Sequence, residues 1–234
     1  MSELRVALVA EGDTDRVLIE AALRAILLVP FILVQLQPEV TYPDFGGGWC
    51  GVFKWCRAFA ASGVARLEDD PRLLGFDIFI IHLDADVANK SYADGGGRLL
   101  EAAIAMPALP CFRPCPPPSD TVCDLQTRLL GWMEMRTIGP RTVLCIPSKC
   151  SEAWLTAAIV PQGDPLHTNL ECRQDLVDRF RQLPKARRIR KSVRDYQTHA
   201  PTVTDRWPQV RQCCTQAQLF QETVERVVAT LGGQ

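Results

Sequence analysis

No apolar run in the chain approaches the ~20 residues of a membrane-spanning helix. The nearest candidate, 25–36, is too short and is broken by Pro30. A membrane partner is therefore not expected. The N-terminus also lacks a basic-then-apolar layout, which makes the cytoplasm the expected location. Charge of one sign is missing as well: 26 Lys and Arg against 27 Asp and Glu leave a formal net charge of −1. That excludes a uniformly basic nucleic-acid coat but leaves room for a local patch. Absent too are internal repeats, the GxxxxGK[ST] of a Walker-type ATPase, and groove-reading or RNA-binding modules of known pattern. Ten cysteines are present without a pair of CxxC motifs. Cys111 and Cys115 form a CxxxC with no matching second pair, so structural zinc is not expected. The thiols are expected to be reduced and mostly buried.

What is present supports a packed core. Apolar residues make up 47% of 234 and charged residues 23%, enough for one large domain or a domain with an appendage. Apolar stretches at 4–10, 31–37, 76–86 and 141–147 read as strands. Helical spacing runs over about 14–27, 51–66, 98–106 and 121–137, from Ser151 onward, and near 170–182 and 211–231. Alternation of this kind predicts an α/β fold with a mainly parallel, Rossmann-like sheet flanked by helices over 1–160. Residues 88–120, with YADGGG and LPCFRPCPPPSD, read as an irregular insertion. Residues 161–234 read as a helical C-terminal extension with a basic, irregular stretch between its helices. That extension offers a face for a homodimer or a docked partner.

Right-handed crossovers place the C-terminal ends of all the strands on one edge, where ligands bind in such sheets. Carboxylates gather there. Glu11, Asp13 and Asp15 follow the first strand in AEGDTD, and Asp84 and Asp86 end the third in IIHLDAD. The first group either caps a helix, through Asp13 or Thr14, or holds a cation. If the third strand runs to Asp86, Asp84 and Asp86 point the same way. Their repulsion then calls for a cation or a shared proton. With Glu11 and Asp15 they make an all-oxygen set suited to Mg2+ or Mn2+ and hence to phosphoryl chemistry. His82 shares the parity of Asp84 and reads as a core histidine with its hydrogen bonds met, the other choice being a support beside a metal. Glu152 opens a helix at the same edge, with Ser148 and Ser151 as caps and Trp154 and Leu155 as core. KARRIRKSVR (185–194) carries six cations in ten residues. Lys185, Arg187, Arg188, Arg190 and Arg194 are its candidates for contact with a polyanion backbone. The GGG of 46–48 lies after the second strand, near the same edge.

An apolar strand ending in EGxTD, a helix, and a later strand ending in DxD resemble the Toprim (topoisomerase–primase) domain. The likeness is closer to the nucleases of the OLD (overcoming lysogenization defect) family and their small stand-alone relatives. PSKCSEAWLTA (147–157) is similar to their SxEAWL helix start, and RKSVRDY (190–196) resembles a segment with a functional lysine. In outline the resemblance spans residues 5–195. It implies that Glu11, Asp84 and Asp86 hold one Mg2+ or Mn2+ while Asp15 and Glu152 help a second. Lys191 would face the phosphate or leaving group. The implied activity is that of a metal-dependent endonuclease on DNA or RNA, working with a separate ATPase in anti-phage defence. Two rivals are a DxD glycosyltransferase, which leaves EGDTD and Glu152 without a task, and a catalytically silent Toprim-like scaffold. A haloacid dehalogenase-type phosphatase fits less well, since its DxD strand usually comes first.

Overall fold

The computed structural model describes residues 3–39, 45–185 and 188–232. Strands β1 (Leu4–Val9), β2 (Phe31–Gln37), β3 (Ile78–His82) and β4 (Thr142–Cys145) form one sheet in the order β2-β1-β3-β4, every pair parallel. β1 and β3 are apolar on both faces, as strands covered by helices on two sides must be. Register places Val6, Leu8, Ile78, Ile80, Val143 and Cys145 on one face. That face packs against α1 (Asp13–Ile26), α5 (Glu152–Ile159), α6 (Leu176–Gln182), α7 (Val193–Asp205), α8 (Trp207–Cys213) and α9 (Thr215–Gly232). Ala7, Val9, Phe79 and Ile81 face the other layer, built by α2 (Gly48–Ala60), α3 (Gly97–Ala102) and α4 (Ser119–Trp132). The result is a three-layer α/β/α fold. No helix among the described residues is long and apolar enough to cross a membrane.

The C-terminal helices close the layer over α1 and α5. Trp154 of α5 is buried edge-on against Trp207, ring centres 5.3 Å apart, and lies 5.6 Å from Phe220 of α9. Thr204 Oγ1 of α7 donates to the Ala21 carbonyl at 2.9 Å. Helices α7 and α8 occupy the stretch expected to be irregular. Pro201 inside α7 and Pro208 in the first turn of α8 disguise them in the sequence. A proline that early in a helix displaces no intrahelical hydrogen bond.

Two further expectations are corrected. β3 stops at His82, because Asp84 leads into a 3-10 turn over Ala85–Asn89, with Val87 N–H donating to the Asp84 carbonyl at 3.2 Å. The thiols are not all reduced: Cys115, in the proline-rich insertion, is bonded to Cys172, with Cα atoms 5.6 Å apart. Cys56, Cys145 and Cys214 are buried free thiols, while Cys111 and Cys123 are exposed.

In chain order β1 is followed by β2 on one side, whereas β3 and β4 lie on the other. The crevice beyond the C-terminal ends of β1 and β3 is therefore a topological switch point, the default ligand position in an open parallel sheet.

Candidate metal centre

Backbone bonds carry the sheet's order past its strands into this crevice. Ala10 N–H donates to the Gln37 carbonyl at 2.9 Å, and Gly48 N–H, at φ +70°, to the Glu11 carbonyl at 2.7 Å. Leu83, Ala85 and Asp86 N–H groups donate in turn to the carbonyls of Cys145, Pro147 and Lys149, at 3.1, 3.1 and 3.0 Å. The positive φ at Gly48 is one that a residue with a Cβ adopts only with strain. Glu11 is thereby fixed between the end of β2 and the start of α2. Its Oε1 accepts the Asp84 N–H at 2.7 Å, joining the ends of β1 and β3.

Asp15 in the first turn of α1, His82 at the end of β3, and Asp84 two residues on are all buried. Their ligating atoms lie within 4.8 Å of one another. Ser151 orients both carboxylates: its N–H donates to Asp84 Oδ1 at 3.0 Å and its hydroxyl to Asp15 Oδ1 at 2.6 Å. Ser151 holds the N-cap position of α5, as expected, but its side chain makes no cap hydrogen bond and turns to the carboxylates instead; Ser148 does not cap the helix. Asp13 is not a cap either. Gly12 holds the N-cap position of α1, and Asp13 Oδ1 accepts from Gln35 Nε2 at 3.0 Å. His82 is not the satisfied core histidine expected. It is fully buried, and neither ring nitrogen has a hydrogen-bond partner among the described residues. Its Nε2 lies 3.3 Å from Asp84 Oδ1, close enough for an ion pair but not aligned for a hydrogen bond.

Glu152 and Lys191 meet beside this group. Glu152 is fully buried in the first turn of α5, and its Oε1 accepts from Lys191 Nζ at 2.9 Å and from the Tyr196 hydroxyl at 2.8 Å. Asp86 is carried off the expected extended path by the 3-10 turn. It lines a neighbouring cavity of about 150 Å3 with Asn89, Lys90, Phe112, Lys149 and Gln174. There Lys149, itself buried, holds its ammonium 3.4 Å from the centre of the Phe112 ring. Of the basic run, residues 188–192 lead irregularly into α7, whose first turn holds Arg194. Lys185, Arg188, Arg190 and Arg194 are exposed on the run, and Arg187 falls outside the described residues.

No family model, no curated protein and no solved structure matches the chain.

The electrostatics of the crevice follow from its own geometry. Burial, with Asp84 and Asp15 adding repulsion and His82 opposing, holds the Glu11 carboxyl well above its usual range. Burial likewise raises Asp84, reinforced by Asp15, Glu152 and Asp86 and opposed by Lys191. Asp86 is raised by burial against the pull of Lys90 and Lys191. Burial acts against the charge on Glu152 too, but Lys191 and Tyr196 outweigh it and leave that carboxyl below its usual value.

Raised carboxyls bind protons more tightly in the folded than in the unfolded chain, so folding takes up protons above the ordinary values of 3.8 for Asp and 4.5 for Glu. Stability contributed by Glu11 and Asp84 is therefore present at low pH, falls as pH rises through the folded values, and stays lost above them. Asp175, held down at about 2 by Arg173 and Arg179, acts in the opposite sense: its stabilisation is fully present above the ordinary carboxylate value and is lost only as pH falls below it. In chelator, the melting temperature is expected to fall as pH rises above the ordinary carboxylate range, and saturating Mn2+ is expected to flatten that fall. A flat profile in chelator would show that the carboxylates carry no such burden.

Proposed function

We propose that the chain is a divalent-metal-dependent phosphodiesterase that cleaves DNA or RNA internally. One observation carries this reading: the donor atoms of Asp15, His82 and Asp84 converge within 4.8 Å at a topological switch point. Glu11 braces them, through its bond to the Asp84 backbone. Buried carboxylates held this close repel one another, which a cation offsets. The carboxylate oxygens of Asp15 and Asp84 suit Mg2+ or Mn2+, with Glu11, which holds the Asp84 N–H, as a further oxygen ligand and Asp86 and Glu152 as the candidates for a second ion. A divalent ion there would polarise a phosphodiester oxygen and lower the pKa of an attacking water.

The chain's own groups prepare for that chemistry. Ser151 fixes the orientation of Asp15 and Asp84 with two hydrogen bonds. Lys191 spends one ammonium hydrogen on Glu152 and keeps two donors for phosphate oxygens. The exposed Lys185, Arg188, Arg190 and Arg194 lie on the segment that delivers Lys191, so a polyanion tracking them is led to the crevice. The motif residues EGDTD, DAD and SEAWL are the basis for placing the chain near the OLD nucleases. With that placement goes a separate ATPase partner in anti-phage defence.

The test is incubation of the full chain with mixed DNA and RNA substrates in Mg2+ or Mn2+. Cleavage is expected in metal, abolished by chelator, and restored by fresh metal. Neither pool being cut, although calorimetry shows the ion bound, would overturn the nuclease reading.

A further inference from the structure

His82 has no ordinary structural occupation. A neutral imidazole carries one donor and one acceptor, and a protonated one carries two donors. Leaving such groups buried and unpaired forfeits their full solvation. A buried polar group without a partner therefore calls for a cause, such as an unseen ion. At His82 the exposure is 0%, and both ring nitrogens lack a hydrogen bond among the described residues. The ring is nevertheless aimed: Nε2 is 3.3 Å from Asp84 Oδ1, and one ring nitrogen belongs to the convergent group with Asp15 and Asp84.

An imidazolium–carboxylate pair explains this poorly. It would align Nε2–H with the Asp84 oxygen and leave a second charged N–H unmet at Nδ1, in a site with no exposure. Two ligands of one ion need no such alignment. A separation of 3.3 Å suits neighbouring donors, each about 2.1 Å from a shared metal. Asp84 Oδ1 already accepts the Ser151 N–H, and its second lone pair remains for an ion.

We infer that His82 is a direct metal ligand with Asp15 and Asp84, and that the centre consequently prefers a first-row transition ion such as Mn2+ over Mg2+. This rests on the metal centre proposed above and specifies its ion. Imidazole nitrogen is a poor partner for Mg2+, which keeps oxygen ligands and water, whereas manganese and the metals after it accept mixed nitrogen and oxygen sets. The last residue of β3 thus sets the metal rather than the core packing.

The experiment uses the full chain loaded with Mn2+ and read by pulsed electron paramagnetic resonance. Modulation from a coordinated 14N nucleus is expected in the wild type, expected to change on 15N-histidine labelling, and expected to vanish in His82→Leu. Calorimetry is expected to show Mn2+ binding about tenfold or more tighter than Mg2+, with the ratio shrinking in His82→Leu. Leucine suits this apolar, fully buried strand position, so the variant should fold. The labelled wild type tests the ligand without any substitution. Mn2+ bound with no nitrogen modulation would overturn the inference while leaving the carboxylate centre intact. Equal affinity for the two ions would overturn the preference. No Mn2+ binding at all would remove the centre itself.

Discussion

Asp84→Asn is expected to abolish metal binding and cleavage while making the metal-free protein more stable. The asparagine keeps an oxygen at the position that accepts the Ser151 N–H, so the strand end retains its geometry. It removes a carboxylate whose charge is disfavoured by burial and by Asp15, Glu152 and Asp86. Relief of that burden is expected to add about 1 kcal/mol in chelator, the usual gain from removing a functional strain. The catalytic loss is expected to be about a hundredfold or more, the scale for one group that organises charge stabilisation in a closed site. Thermal melts in chelator and turnover in Mn2+ check the two halves separately. A variant that both cleaves and binds Mn2+ like the wild type would remove Asp84 from the centre. One that is less stable without metal would show that the carboxylate serves the fold.

Lys191→Met acts in the opposite direction on stability. Glu152 is fully buried and Lys191 is its cationic partner at 2.9 Å, so the substitution strands a carboxylate in the core. Breaking a buried pair from one side typically costs about 3–5 kcal/mol, and the 42% exposure of the Lys191 side chain places this case near the lower end. Adding Glu152→Gln should recover much of the loss, because the amide oxygen can still accept the Tyr196 hydroxyl. Denaturant unfolding of the four members of the cycle measures the coupling. Additive effects would show that the two groups do not act as a pair. If Lys191 faces the phosphate as proposed, activity is expected to stay low in the double variant although stability returns.

Much of the fold was legible because a parallel sheet covered on both faces writes itself as apolar runs between amphipathic helices. LRVALV, FILVQLQ and IFIIH fall where β1, β2 and β3 lie. The positions of Glu11, Asp15 and Asp84 at one edge followed from the crossover rule and the strand ends. The path of Asp86 was not legible, since apolarity continues through Leu83 and Val87 although the strand has already given way to a turn. Periodicity reports burial, and these turn residues are as buried as the strand. His82 was misread for a related reason: its parity with Asp84 was visible, but parity does not tell whether a ring nitrogen finds a partner. Ser151 looked like a cap because serine before a helix usually is one. Only the packing of α5 against the ends of β1 and β3 turns it toward two carboxylates. Helices α7 and α8 were hidden by prolines, and their place is decided by contacts such as Thr204 to Ala21 that span 183 residues.

That long span also sets a schedule for biosynthesis. Asp15, His82 and Asp84 are made early, but Lys191 and Tyr196, which neutralise and bond Glu152, arrive more than a hundred residues after Asp84. At roughly 5–20 residues per second the nascent chain waits several seconds in that condition. Throughout the interval the face of the sheet later closed by α7–α9 is open, and the acidic crevice lacks its counter-charge. A product truncated before α7 is consequently expected to be a poor fold and a substrate for proteolysis.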